Sequence, residues 1–166
     1  MRCVGGASAP CCATALTVVL LLGAATQASA QASNTSLEPL LNVSDLVALG
    51  LKDVVLAPPD AFDRTKELGF VTAADEYAVL NFTRYDVSGA GGGRLRETLS
   101  IIANDVTPVA GVGDEAYSYL GGTFLVFRKG AVGFQLSSGL NVLAGLQPFL
   151  TTTQLAQLAN VICSRL

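Results

Sequence analysis

The chain of 166 residues contains no histidine. That absence removes the usual general base of serine and cysteine hydrolases and the commonest ligand of zinc and haem, so histidine-dependent chemistry is excluded. Charge is also scarce: 14% of residues are charged against 51% hydrophobic. Such a chain is too apolar to stay disordered, and its Gly, Asp and Arg residues interrupt it too often for a membrane bundle. Concentrated basic charge is missing as well. The ten Lys and Arg are outnumbered by thirteen Asp and Glu. Their close pairs include Arg94 with Arg96 and Arg128 with Lys129, and all are dispersed along the chain. A phosphate-tracking surface needs a basic patch, so nucleic acid is excluded as the main partner.

Cysteine is nearly absent from the part that folds. Residues 1–30 read as a secretory signal: Arg2 gives the positive start, 13–25 the apolar run, and Ala28-Ser29-Ala30 a small-residue cleavage site before Gln31. The run is shorter than the roughly 20 apolar residues that span a bilayer, so no stable membrane span is expected after cleavage. Cys3, Cys11 and Cys12 precede the run, which argues against lipidation at the cleavage point. Cleavage leaves Cys163 alone, without a disulfide partner in the same chain. In an apolar terminal helix it reads as a packing residue. The product is expected to be secreted or periplasmic.

What remains is one domain's worth of chain, with 31–36 as a flexible linker and 37–166 as a single α+β domain, an antiparallel sheet packed by two or three helices. Leucines at 40, 41, 46 and 49, with Val47, predict a short helix capped by Ser44 or Asp45 and ended by Gly50. Residues 53–57 read as a strand stopped by Pro58-Pro59. Segments 68–72 and 77–85 predict a hairpin, with Ala78, Leu80 and Phe82 on the inner face and Asn81, Thr83 and Tyr85 on the outer. Leu95, Leu99, Ile102 and Ala103 follow an amphipathic helical spacing. Residues 123–128 and 131–137 predict a hairpin about a Lys129-Gly130 turn, which sets Phe127 opposite Val132 and Leu125 opposite Phe134. Thr151 to Thr153 offer an N-cap for a last helix with a stripe of Leu155, Leu158, Ala159, Ile162 and Leu166.

Candidate chemistry is thin. The glycine-rich loop at 89–94 lacks the Gly-Lys-Ser/Thr ending of a phosphate loop and reads as a connection. Asp60 and Asp63 match no EF-hand spacing and read as solvated turn carboxylates, so no metal site and no cofactor are expected. Asn34, Asn42 and Asn81 begin glycosylation sequons, of which Asn81 lies in a predicted strand. Adjacent Asp114 and Glu115 suggest acid–base work, but neighbours in an extended run point to opposite faces, so no catalytic residue is assigned. Gly111, Gly113 and Asp114 read as a structural corner from which Tyr117 re-enters the core. Of the aromatics Tyr77, Tyr85, Tyr117, Tyr119 and Phe124, we take Tyr117, Tyr119 and Phe124 as the candidate ligand- or partner-binding set. Strand aromatics otherwise serve packing.

The order of these motifs resembles that of small exported bacterial domains, often lipoprotein-like: a leucine-rich helix ending in Gly50, the Gly-x-Gly-Asp-Glu-Ala-Tyr segment Gly111 to Tyr117, the Arg128-Lys129-Gly130 hairpin, and a terminal helix ending in Arg165-Leu166. Members often carry a Cys pair joining the first helix to the first hairpin, which this chain lacks. The resemblance implies an extracytoplasmic α+β domain and transfers no catalytic residue. The expected function is therefore a non-catalytic exported domain binding an envelope protein or a small ligand. Two alternatives stand beside it: a carrier holding a small apolar ligand between sheet and helices, and a histidine-free hydrolase using Asp114 or Glu115.

Overall fold

A computed structural model describes residues 35–61, 63–74, 76–86 and 94–166. The expected leader, most of the expected linker and residues 89–93 of the glycine-rich loop lie outside the described residues. Thr35–Leu166 form one compact unit, and Leu37 is already fully buried within it.

The first helix, α1 (Val43–Ala48), begins at Asn42 rather than at Ser44 or Asp45. Asn42 is extended, and its side chain accepts the Ser44 N–H at 3.0 Å while Asp45 accepts the Asn42 N–H at 3.0 Å. This reciprocal box satisfies two otherwise orphaned amides. Asp45 thus acts inside the first turn and not before it. At the other end Leu51 N–H reaches Leu46 O and Gly50 N–H reaches Val47 O, the paired closure expected of a helix stopped by glycine.

Seven antiparallel strands form the main sheet: β1 (Val54–Leu56), β2 (Glu67–Thr72), β3 (Ala78–Asp86), β4 (Thr107–Pro108), β5 (Glu115–Tyr119), β6 (Phe124–Lys129) and β7 (Val132–Ser138), in the order β1-β2-β3-β7-β6-β5-β4. With its three described helices this is an α+β domain, as expected. Both edges are short, and the outer ones carry Pro58 and Pro108 nearby, which blunts them against pairing with another chain. A small second ladder joins β8 (Leu140–Asn141) to β9 (Gln147–Pro148).

Two details of register differ from the sequence pattern. In the β2–β3 hairpin Phe70 faces Leu80 but Val71 faces Ala78, so Val79 is an extra residue. This bulge buries Val79 and exposes Ala78, moving Ala78 off the inner face. In the β6–β7 hairpin Lys129 pairs with Val132, so the turn is Gly130-Ala131, one place later than Lys129-Gly130. Gly130 takes φ +60° at the first turn position, which fits a type II′ turn. Because the pairing shifts by two residues in sum, every side chain keeps its face: Phe127 meets Phe134 and Leu125 meets Leu136.

One sheet face carries Leu68, Phe70, Leu80, Phe82, Leu125, Phe127, Phe134 and Leu136 into the main buried cluster. Phe134 stacks between Phe127 and Phe82, at centroid distances of 5.3 and 5.7 Å. The third helix, α3 (Thr152–Ser164), contributes Leu155, Leu158, Ala159 and Ile162 to the same cluster. Thr151 caps α3 through a box with Gln154, as the threonine run predicts, and Gln154 Nε2 also donates to Leu49 O at 3.3 Å. Leu166 falls beyond the helix and is exposed, so the stripe ends at Ile162. Arg165 folds back on α1: its Nη1 and Nη2 donate to Asp45 Oδ2 and Oδ1 at 2.6 and 2.7 Å, and Nη1 also reaches Leu40 O at 3.0 Å.

Substitutions at two glycines and at the Asp45–Arg165 pair test this arrangement. Gly139 donates to Val79 O at 2.9 Å, and a Cβ there would collide with the Ala78 carbonyl, so the bulge and Gly139 require one another. Gly139→Ala is expected to lower urea stability by about 3 kcal/mol through overpacking. Gly130→Ala, with open space around it, is expected to lose about 1 kcal/mol from backbone strain alone. The Arg165 guanidinium beside Asp45 holds its carboxyl below the usual range, opposed by partial burial and helped by the Asn42 amide. A carboxyl depressed in the folded state stabilises above its unfolded value, near 3.9, and that contribution disappears as pH falls through the folded value. Wild type should therefore lose stability on acidification more steeply than Asp45→Asn, and a double-mutant cycle of Asp45→Asn with Arg165→Gln should give a coupling of about 1 kcal/mol.

Candidate functional site

The other sheet face is where the candidate aromatics gather. Antiparallel pairing lays its side chains out in rows. One row runs Gly69, Asn81, Ser137, Phe124, Tyr119; the next runs Glu67, Thr83, Gln135, Val126, Tyr117; a third runs Tyr85, Gly133, Arg128, Glu115. The face thus changes from amides and hydroxyls over β2, β3 and β7 to aromatics over β6 and β5.

On the aromatic side Tyr119 and Val126 share a second, smaller buried cluster with Leu95 and Leu99 of α2 (Arg94–Ile102) and with Ala103. Tyr85, Val106, Tyr117 and Phe124 pack against it. Ile102, expected on the buried stripe, is 63% exposed, and Ile101 is 85% exposed. The buried stripe of α2 is Leu95, Leu99 and Ala103, each four residues apart, which is one side of a helix without Ile102.

All three candidate residues therefore come together, in different roles. Tyr119 is only 4% exposed and stacks on Phe124 with centroids 5.0 Å apart. Its hydroxyl donates to Gln135 Oε1 at 3.0 Å, which fixes that amide over β7. Tyr119 is thus buried beneath the face, while Tyr117 and Phe124 are half-buried beside its amides and hydroxyls. Of the remaining tyrosines, Tyr85 packs at the same cluster with its hydroxyl 3.5 Å from Phe134 O, whereas Tyr77 stands exposed at the far end of β2–β3. Burial pushes the Tyr85 phenol well above its ordinary value near 10, with the neighbouring Tyr119 adding to the shift. Burial raises Tyr119 as well. For Tyr117 burial comes first and the hydrogen bond to Glu115 second, with Arg96 opposing.

The carboxylates beside this face serve the hairpin. Asp114 and Glu115 do not point to opposite faces as an extended run would require: Asp114 precedes β5, and both carboxylates reach the Arg128 guanidinium, Asp114 Oδ2 3.6 Å from Nη1 and Glu115 Oε2 3.6 Å from Nε. Asp114 Oδ2 accepts the Gly130 N–H at 2.7 Å, and the Asp114 N–H donates to Arg128 O at 2.8 Å. Gly113 lets these strands approach, since a Cβ there would strike the Arg128 carbonyl. The Gly130 amide, with Lys129 and Arg128 nearby, holds the Asp114 carboxyl below its ordinary value. Glu115 lies opposite Arg128 with Oε2 3.6 Å from Nε, and its Oε1 accepts the Tyr117 hydroxyl at 3.1 Å. Gly111 and Gly113 take positive φ as the expected corner requires, but the residues that enter the main core are Val112 and Ala116, and Tyr117 turns to the second face.

Sequence reasoning missed Gln135 and Asp105. Gln135 could have been found as the polar member of an alternating strand facing a tyrosine. Asp105 accepts the Leu120 and Gly121 amides at 2.9 and 2.6 Å and so pins the β5–β6 turn from 15 residues away, for which the sequence carries no local signal. Asp63 accepts the Thr65 N–H and hydroxyl at 3.1 and 2.6 Å, the turn role expected of it. No group of three or more His, Cys, Asp or Glu able to hold a metal occurs among the described residues. Cys163 is half-buried against the main cluster, and burial pushes its thiol up. No family model, curated protein or solved structure matches the chain.

The buried phenols give a titration test. Groups whose value is raised by folding favour the folded state at pH below about 10, and that preference is lost as pH rises through their folded values. In an absorbance titration of the four tyrosines, Tyr85→Phe should remove ionisation that otherwise appears only together with alkaline unfolding.

Proposed function

We propose that the chain is an exported, non-catalytic domain that binds a protein partner or small ligand at the cell envelope through the second face of its sheet. The observation that carries this reading is the strip of half-buried Asn81, Thr83, Gln135 and Ser137, adjacent by register and flanked by the Tyr119–Phe124 stack. Amides and hydroxyls supply both donors and acceptors without charge, and an aromatic flank supplies apolar area. That combination suits recognition of an uncharged polar group. The leader pattern at 1–30 and the resemblance to small exported bacterial domains support the location.

The alternatives draw less support. The carrier reading needs room between sheet and helices, where Phe70, Phe82, Phe127 and Phe134 are fully buried against one another. The hydrolase reading needs a carboxyl poised to take or give a proton, whereas Asp114 is committed to the Gly130 amide and Glu115 to Arg128 and Tyr117.

Native mass spectrometry of the protein recovered gently from its native envelope tests the proposal. The expected product begins at Gln31 and carries an added mass, a small ligand or a protein, that is lost in Asn81→Ala/Gln135→Ala while the fold is retained. A product that keeps the leader, or an adduct indifferent to those substitutions, would overturn it.

A further inference from the structure

The segment between β7 and α3 is built unlike the rest of the surface. From Gly130 to Ser164 no side chain is charged. Within that stretch β8 and β9 project a tip whose apolar side chains face outward: Val142, Leu143 and Leu146 are 56%, 84% and 60% exposed, with Leu140 exposed beneath them.

The tip is not a slack loop. Asn141 O accepts the N–H groups of Ala144 and Leu146 at 3.2 and 2.9 Å, Asn141 Oδ1 accepts Ala144 N–H at 3.1 Å, and Val142 O accepts Gly145 N–H at 3.2 Å. Three successive amides are therefore satisfied inside the tip. Leu146 is held at φ +63°, a conformation that Gly or Asn adopts at less cost. At the base, Phe149 N–H bonds Gly139 O at 3.0 Å, and Gly139 sits against the bulge beside exposed Tyr77.

We infer that this tip is a lipid-contacting element, which seats its aliphatic side chains among the acyl chains at the surface of a neutral bilayer. Three observations favour lipid over a protein groove. Burial in hydrocarbon is costly for unpaired amides, and those of Ala144, Gly145 and Leu146 are already paired. The side chains on offer are aliphatic, whereas the residues that dominate protein interfaces are Trp, Tyr and Arg, with Leu and Val under-represented. The segment carries no charge to desolvate, and while Phe149 packs against the main cluster, the exposed aromatic beside the base is Tyr77, a residue suited to the headgroup level. The chain's net charge of −3 selects a zwitterionic surface over an anionic one. The inference stands apart from the proposed binding face and does not depend on it.

The full chain has no tryptophan, so Leu143→Trp creates a single reporter at the tip. With phosphatidylcholine vesicles its emission should shift to the blue and be quenched by brominated acyl chains. Adding Leu146→Asp should weaken the titration at least about tenfold. Val47→Trp, exposed on α1, should show neither change. An unchanged Leu143→Trp spectrum would overturn the inference, whether the tip then meets a protein or water. Equal shifts at both positions would also overturn it, because the contact would not belong to the tip.

Discussion

One short junction sets the geometry of the sheet's second half. The Asp114 carboxylate holds the Gly130 amide, the Asp114 amide holds the Arg128 carbonyl, and Gly113 leaves the space in which the two segments meet. The Gly-x-Gly-Asp-Glu-Ala-Tyr segment and the Arg-Lys-Gly hairpin look like separate motifs in the chain, yet they are two sides of this contact. The junction fixes the register of β5 on β6, and that register decides the rows in which Tyr117, Tyr119, Phe124 and Gln135 stand. A charge-assisted hydrogen bond to a turn amide is stronger and more directional than a neutral one. The positions of the aromatic face therefore depend on a carboxylate that does not lie on it.

The two sheet faces divide the physical work. One face gathers the phenylalanines and leucines that share the main cluster with α3, where non-directional burial supplies most of the stability. The second face is mixed, and each tyrosine hydroxyl on its rows has a hydrogen-bonding neighbour: Gln135 for Tyr119, Glu115 for Tyr117, and the Phe134 carbonyl for Tyr85. Directional bonds of this kind specify positions more than they add energy, since each is worth about 1 kcal/mol net.

Much of the fold is legible in the sequence because its signals are periodic. The alternation in β6 and β7 and the spacing of Leu155, Leu158 and Ile162 assign faces that survive even where the turn is misplaced by a residue. What resists reading depends on a partner distant in the chain. The bulge at Val79 answers to Gly139, the cap of α1 is chosen by reciprocal bonds between Asn42 and Asp45, and Asp105 acts across a gap on Leu120 and Gly121. Ile102 misleads because a hydrophobic residue near the right spacing still lies to one side of a short helix. The candidate site is legible in its aromatics and not in its polar strip, because Asn81, Thr83, Gln135 and Ser137 become neighbours only through the pairing of β3 with β7.

That pairing also orders events in time. Strand β3 waits for β7 some 50 residues later, and the apolar face of β1 to β3 shares its cluster with α3, later still. Arg165 then closes on Asp45 across 120 positions. A chain emerging in order from a ribosome would therefore hold an unfinished, greasy half-sheet until nearly all of it had been made. Contacts of such long sequence separation slow folding, and here they leave the first half of the sheet without its covering partner until the final helix is made.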